Sequence, residues 1–358
     1  MTNRSSPDQT PGAIGAAGPP AVGRRVLVTG AGGFVGVNLV RGFAEAGWRV
    51  VATGRRAPDA HTEAFLASVA ERVSWHLGDV TDAEWLDALI ASSAPAVVVH
   101  AAAMTPTPAV EREATRRVVD TNLVATLTVL EAVRTHAVPR LLFASSTGVY
   151  AGAPLHAARR EAEHLEPHNL YALCKRASEQ LVDAYASIHG GSAASVRIGS
   201  VYGPMERASL SRSGLSIVAN LVDAAVAGRP LRVSHPEVGR DLIHAYDLAR
   251  AFVRLAEAPR LGWGVYNLAS PQPISVASVL EALASVADLR WTSSGVGDAD
   301  VALTPQHHRD HVDVSRLEQD TGVTPAVDLR AGLAHVLAWH RLGDDLAGIA
   351  GFAFRPAP

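Results

Sequence analysis

The chain of 358 residues has a single cysteine, Cys174, so no disulfide can close within it, which fits a reducing cytoplasm. Charge is also scarce. Charged residues make up 19% of the sequence and the formal net charge is −3, which leaves no broad basic surface for nucleic acid or an anionic membrane. An anionic ligand must therefore be met by a few local Arg or Lys side chains. Long apolar runs are missing as well: stretches such as Ala96–Val99 are far too short to span a bilayer. Residues 1–22, rich in Ser, Pro, Gly and Ala, have almost nothing large to bury. They read as a disordered tail without the apolar segment of a secretory signal. A cytoplasmic location is the expectation.

What the chain does have is 48% hydrophobic residues, enough for a substantial core and a second lobe. From Arg24 onward short β-branched runs alternate with helical stretches. Strands are expected at Arg25–Thr29, Arg49–Thr53, Val73–Leu77, Ala96–His100, Leu141–Ser145 and Ser195–Ile198. Helices are expected between them, including Phe34 to Ala46, closed by Gly47, and a long one around Thr115–Thr135. Such alternation implies an α/β fold: a Rossmann-type doubly wound parallel sheet covered on both faces. Residues 23–199 are read as the dinucleotide-binding domain. Residues 200–358 are read as mainly a smaller α/β substrate lobe, with segments returning to the sheet.

Between the first strand and first helix stands Gly30-Ala31-Gly32-Gly33-Phe34-Val35-Gly36. Glycines at 30, 33 and 36 let the backbone turn tightly and approach a pyrophosphate, whose charge then faces the helix N-terminus. An acid at the end of the second strand would hold the ribose 2′-OH. Thr53-Gly54-Arg55-Arg56 stands there instead. The missing carboxylate and the two arginines favour NADP over NAD, against the alternative of two solvated surface arginines. Asp79, followed by Val80, sits where it could accept from the adenine amino group or cap the next helix. Ala101, Ala102 and Ala103 end the fourth strand and allow close approach of the cofactor. His100 reads as a packed strand-end histidine.

Tyr171 and Lys175 are four residues apart at the start of a helical stretch and so share a face. A free phenol has a pKa of ~10, and a neighbouring ammonium favours its ionised form. Ser145, Ser146 and Thr147 end the fifth strand, where the carboxyl ends of strands line the ligand crevice. A hydroxyl there can hold a substrate oxygen while Tyr171 moves the proton.

With these motifs in order, the chain resembles the extended short-chain dehydrogenases/reductases of the NAD(P)-dependent epimerase/dehydratase family, from about Arg24 to Trp339. Further marks are Val201-Tyr202-Gly203-Pro204 and Arg240-Asp241-Leu242-Ile243-His244. The resemblance implies Ser146 as hydroxyl partner, with Thr147 or Ser145 as weaker candidates, Tyr171 as acid/base and Lys175 as its modulator and ribose ligand. It also implies Asn122 as a brace of the site, Arg240 as a phosphate ligand, and a homodimer through the helices around Thr115–Thr135 and Tyr171–Ile188.

Thr147 and Gly148 supply no acid after Ser146, which argues against a 4,6-dehydratase or a decarboxylase. The leading reading is an epimerase acting on a nucleotide sugar. Ser200, where sugar-nucleotide enzymes of the family carry Asn, keeps open an NADP(H)-dependent carbonyl reductase or alcohol dehydrogenase. A non-catalytic dinucleotide sensor is a third reading. Thr105, Thr147, Ser200 and the loop Met205–Gly214 are expected to touch substrate. His307, His308 and His311 read as a solvated loop, and no metal site is expected.

Overall fold

A computed structural model describes residues 24–150, 158–209, 212, 214–309 and 311–342. The expected N-terminal tail lies outside the described residues. The first part of the chain runs β1 (Arg25–Thr29), α1 (Phe34–Glu45), β2 (Arg49–Gly54), α2 (Ala60–Leu66), β3 (Val73–Leu77), α3 (Ala83–Ser93) and β4 (Val97–His100). It continues through α4 (Pro108–Glu113), α5 (Thr115–Val119), α6 (Ala125–Thr135), β5 (Arg140–Ser146), α7 (Leu170–His189) and β6 (Ser192–Ile198). The remainder comprises β7 (Ser200–Tyr202), α8 (Ile217–Val226), β8 (Leu231–Val233), β9 (Gly239–Arg240), β10 (Leu242–His244) and α9 (Ala245–Glu257). It ends with β11 (Val265–Leu268), β12 (Ile274–Ser275), α10 (Val276–Val286), β13 (Trp291–Ser293), α11 (Ser315–Thr321) and α12 (Leu329–Leu342).

Seven parallel strands form the main sheet in the order β11-β6-β5-β4-β1-β2-β3. The order reverses between β1 and β4, and this switch point opens a crevice at the strands' carboxyl ends. Strand interiors such as Val97–Val99 and Leu141–Phe143 are apolar because both faces are covered. On one face Val37, Val40, Leu248 and Phe252 of α1 and α9 close the core. On the other, Leu86, Ile90, Val129, Leu130 and Val182 of α3, α6 and α7 do so. A separate core of Leu221, Leu280 and Leu333 holds α8, α10 and α12 as the smaller lobe. Later in the chain, α9 covers the main sheet and β11 extends it beside β6.

The long helix expected over 115–135 is corrected in one respect. Asp120–Val124 widens to a π turn between α5 and α6. Asn122 sits in that turn, fully buried, with Oδ1 accepting from Met104 N at 3.1 Å and Nδ2 donating to Met104 O at 2.9 Å and Val118 O at 3.0 Å. The widened turn aims the amide at the segment after β4, a local device often found at functional sites. Among the described residues, no helix is long and apolar enough to cross a membrane.

Candidate active site

At the end of β1 the chain turns at Gly30 with φ at +69°, a conformation that favours glycine. A Cβ on Gly30 would lie 2.6 Å from Ala102 Cα, and one on Gly36 would lie 2.0 Å from the Gly30 carbonyl oxygen. The turn, the first turn of α1 and the end of β4 thus pack backbone against backbone. Gly32 faces open space. Gly33 caps α1 with no side-chain cap bond, and no acid lies in the first turn, so the helix's leading N–H groups are left for a ligand. These residues fit a dinucleotide pyrophosphate. Phe34 is buried and Val35 packs against the sheet core.

Gly54 follows directly beside this turn: a Cβ there would lie 3.8 Å from Gly32 N. Arg55 and Arg56 are exposed, and neither forms an ion pair among the described residues. Asp79 is not the cap of α3. Asp82 takes that role by accepting from Trp85 N at 3.1 Å, while Asp79 Oδ1 accepts from Thr81 N at 3.0 Å. Val80 packs on Ala102 and Ala125. Ala101 and Ala102 both donate their N–H to Thr29 Oγ1 at 3.1 Å, and Ala103 is half-buried behind them. Having accepted two bonds, the Thr29 hydroxyl donates its own hydrogen to His100 Nδ1 at 2.8 Å. The imidazole proton is therefore on Nε2, facing Thr126 Oγ1 at 3.3 Å. Burial, with the Lys175 charge, holds His100 at about 3. It is a neutral packing residue, as expected.

Helix α7 positions the chemical groups. Asn169 caps it by accepting from Ala172 N at 2.8 Å, and Glu111 accepts from Tyr171 N at 3.1 Å, placing a negative charge at the helix's positive end. Tyr171 is half-buried beside Ser146 and Thr105. Burial raises its phenol pKa, and Ser146, the Arg212 charge and Thr105 oppose that rise. Ser146 Oγ accepts from Gly148 N at 3.1 Å, which leaves its hydrogen for another oxygen. Lys175 is buried, donates one hydrogen to Ala144 O at 2.7 Å, and lies 5.8 Å from the Tyr171 ring centroid. The sequence left three hydroxyls open. Of these, Ser146 meets Tyr171, Ser145 donates to Glu179 Oε1 at 2.6 Å, and Thr147 donates to Asp241.

Burial pushes Lys175 down to about 8 against the pull of the Glu179 carboxylate. The folded state thus releases this proton more readily than the unfolded chain, whose lysines titrate near ~10.4. Between those values the unfolded state binds more protons, so stability from this group rises with pH. Wild type should gain about 2 kcal/mol relative to Lys175→Met between pH 7.5 and 9.5 in urea denaturation. An unchanged difference would mean the ammonium is not desolvated.

Glu179 lies on the same face of α7, one turn beyond Lys175. Its carboxylate meets the guanidinium of Arg197 on β6 in a two-point pair, Nε–Oε1 2.9 Å and Nη2–Oε2 2.8 Å, both side chains being 1% exposed. Arg197 Nη1 continues to Tyr150 Oη at 2.8 Å, which donates to Asn267 Oδ1 at 2.8 Å. This network ties α7 to β5, β6 and β11 beneath the site.

The sequence model described as "NAD dependent epimerase/dehydratase family" matches residues 26–269. The chain belongs to this family. A dTDP-4-dehydro-6-deoxy-D-allose reductase of Streptomyces sp. is 29% identical over 89% of this chain and 97% of the relative. A probable UDP-glucuronate 4-epimerase of Rhizobium meliloti is 26% identical over 88% of this chain and 96% of the relative. The solved structure of MoeE5 in complex with UDP-glucose and NAD is 28% identical, with a TM-score of 0.72 over 88% of this chain and 98% of that one. The protein is thus an enzyme of the extended short-chain dehydrogenase/reductase type, in an NAD-dependent family of epimerases, reductases and dehydratases.

Thr147, Ser200 and Arg240, expected to touch substrate, are joined to one another by hydrogen bonds, with Asp241 between the first two. Thr147 is buried, with its hydroxyl on Asp241 Oδ2. Ser200 Oγ donates to Asp241 Oδ1 at 2.7 Å and accepts from Arg240 Nη2 at 3.3 Å. Arg240 also donates from Nη1 to His307 O at 2.6 Å, while its Nε is buried without a partner among the described residues. Arg240 forms no ion pair with Asp241 or Asp247 among the described residues; Asp247 pairs with Arg250. Burial, with the charge of Arg309, lowers the Arg240 pKa. His307 and His308 bond Thr304 and Gly239, and no metal-binding group of three appears among the described residues.

Sequence reasoning missed Glu111, Glu179 and Arg309, and named Arg212 only as part of the loop Met205–Gly214. Only Glu179 carried a local signal, its i+4 spacing from Lys175. Asp241 stood in a quoted motif but had no role there.

Proposed function

We propose that the enzyme transfers a hydride at a carbinol or keto carbon of a nucleotide sugar, in an epimerase-type cycle without dehydration or decarboxylation. The observation that carries this reading is Arg240. Its Nε is buried without a partner among the described residues, while its Nη2 is linked through Ser200, Asp241 and Thr147 to the strand end that bears Ser146. A guanidinium with a free donor suits a diphosphate, and the two relatives named above are each named for a nucleotide sugar. The dinucleotide, when bound, supplies the hydride acceptor or donor. Ser146 donates to the substrate oxygen, Tyr171 takes or returns its proton, and Lys175 favours the phenolate. Dehydration would need a further free acid. Among the described residues, the carboxylates Glu111, Glu179, Asp241 and Glu206 are each already bonded.

The end of β2 favours a second reading, an NADP(H)-dependent reductase. Arg55 and Arg56 are solvent-facing, and Gly54, beside Gly32, stands where an acid would hold the ribose 2′-OH. Two charge-assisted bonds predict that Arg55→Ala/Arg56→Ala weakens NADP binding about 10-fold or more and leaves NAD binding unchanged. Calorimetric titration checks this. Equal affinities before and after substitution would remove the NADP preference. Rearrangement of UDP-glucose or UDP-glucuronate without net change at 340 nm would favour the epimerase. Stoichiometric NADPH consumption with a keto nucleotide sugar would favour the reductase.

A further inference from the structure

The stretch that begins at Pro204, described over residues 204–209 and again at Arg212, is fastened at several points. At its start Asn38 of α1 donates to Pro204 O at 3.0 Å, while also holding Phe34 O at 2.9 Å. In its middle Arg207 pairs with Asp59, the cap of α2 just beyond β2, with Nη1–Oδ2 at 2.9 Å. At its end Arg212 forms a parallel bridge with Thr105, in the segment after β4. These anchors lie on both sides of the Gly30–Gly36 turn. The guanidinium of Arg212 stands 5.5 Å from the centroid of Phe34, the first residue of α1. Glu206 holds it by one nitrogen only, Nη2–Oε1 at 2.5 Å. That carboxylate is itself buried and fixed by Ser216 N and Oγ, each at 2.8 Å. Arg212 Nε is buried and has no partner among the described residues.

A positive group with a buried idle donor, set over the first residue of a helix whose N–H groups are uncapped, matches one chemistry: a diphosphate. We infer that Arg212 binds the pyrophosphate of the dinucleotide from the side opposite the α1 N-terminus. This rests on the family's cofactor and not on the proposed sugar substrate. The alternative source of a diphosphate is the sugar nucleotide itself. Proximity to Phe34, beside the glycine turn, favours the dinucleotide. The charge of Arg212 also reaches Tyr171, so cofactor binding and the ionisation of the phenol share one side chain.

The test is calorimetric titration of the full-length protein with NAD, NADP, adenosine and UDP, each alone. Arg212→Gln should weaken both dinucleotides about 10- to 100-fold, Arg212→Lys should recover part of the loss, and adenosine should bind as to wild type. Circular dichroism and thermal melting check that each variant is folded. Dinucleotide affinity within twofold of wild type in folded Arg212→Gln overturns the inference. If UDP alone weakens, the same guanidinium serves the substrate's diphosphate and the inference also fails.

Discussion

Glu179→Ala is expected to destabilise the enzyme by about 3–5 kcal/mol, read from urea denaturation near neutral pH. Both members of the Glu179–Arg197 pair are 1% exposed, so removing the carboxylate leaves a desolvated guanidinium without its counter-ion. The Arg197 pKa lies above its ordinary value: burial opposes the charge, and the bonds and charge of Glu179 more than offset it. Loss of the carboxylate also orphans the Ser145 hydroxyl and removes the charge that steadies Lys175. Glu179→Gln keeps the shape and part of the bonding and should cost less. A loss below about 1 kcal/mol in the alanine variant would mean that water reaches Arg197 and that the network contributes little to holding α7.

Tyr171→Phe carries the second large expectation. General acid–base groups contribute about 10²–10⁴-fold. Removal of this hydroxyl should lower kcat by about 10³-fold while dinucleotide affinity stays within a few-fold. The phenyl ring is retained, so the packing of α7 should not change. Comparable turnover in wild type and variant would assign the proton transfer to another group.

Much of the architecture is legible because its signals are local. Runs such as Arg25–Thr29 are β-branched and buried, and the glycine turn follows at once; these fix β1, the cofactor turn and α1 in order. Tyr171 and Lys175 are likewise one helical turn apart. The π turn at Asp120–Val124 was not legible, because it depends on Asn122 reaching Met104 across the fold. Nor was the selection of Ser146, which depends on Glu179 and Asp241 engaging the hydroxyls on either side. Those partners lie 34 and 94 residues from the serine and threonine they hold. Arg212 is equally hidden: its neighbours Phe34 and Thr105 come from two other segments, and no periodicity links them.

The central claim is that hydride passes between the dinucleotide and a nucleotide sugar at Tyr171. It is tested most directly by isotope transfer. Protein mixed with reduced dinucleotide deuterated at both C4 positions is given a dTDP- or UDP-linked 4-keto sugar, and the sugar product is weighed by mass spectrometry. The account predicts one deuterium on a ring carbon of the sugar with wild type, and about 10³-fold slower incorporation with Tyr171→Phe. Deuterium that stays on the cofactor with every such sugar, or that moves equally fast in the variant, would contradict it.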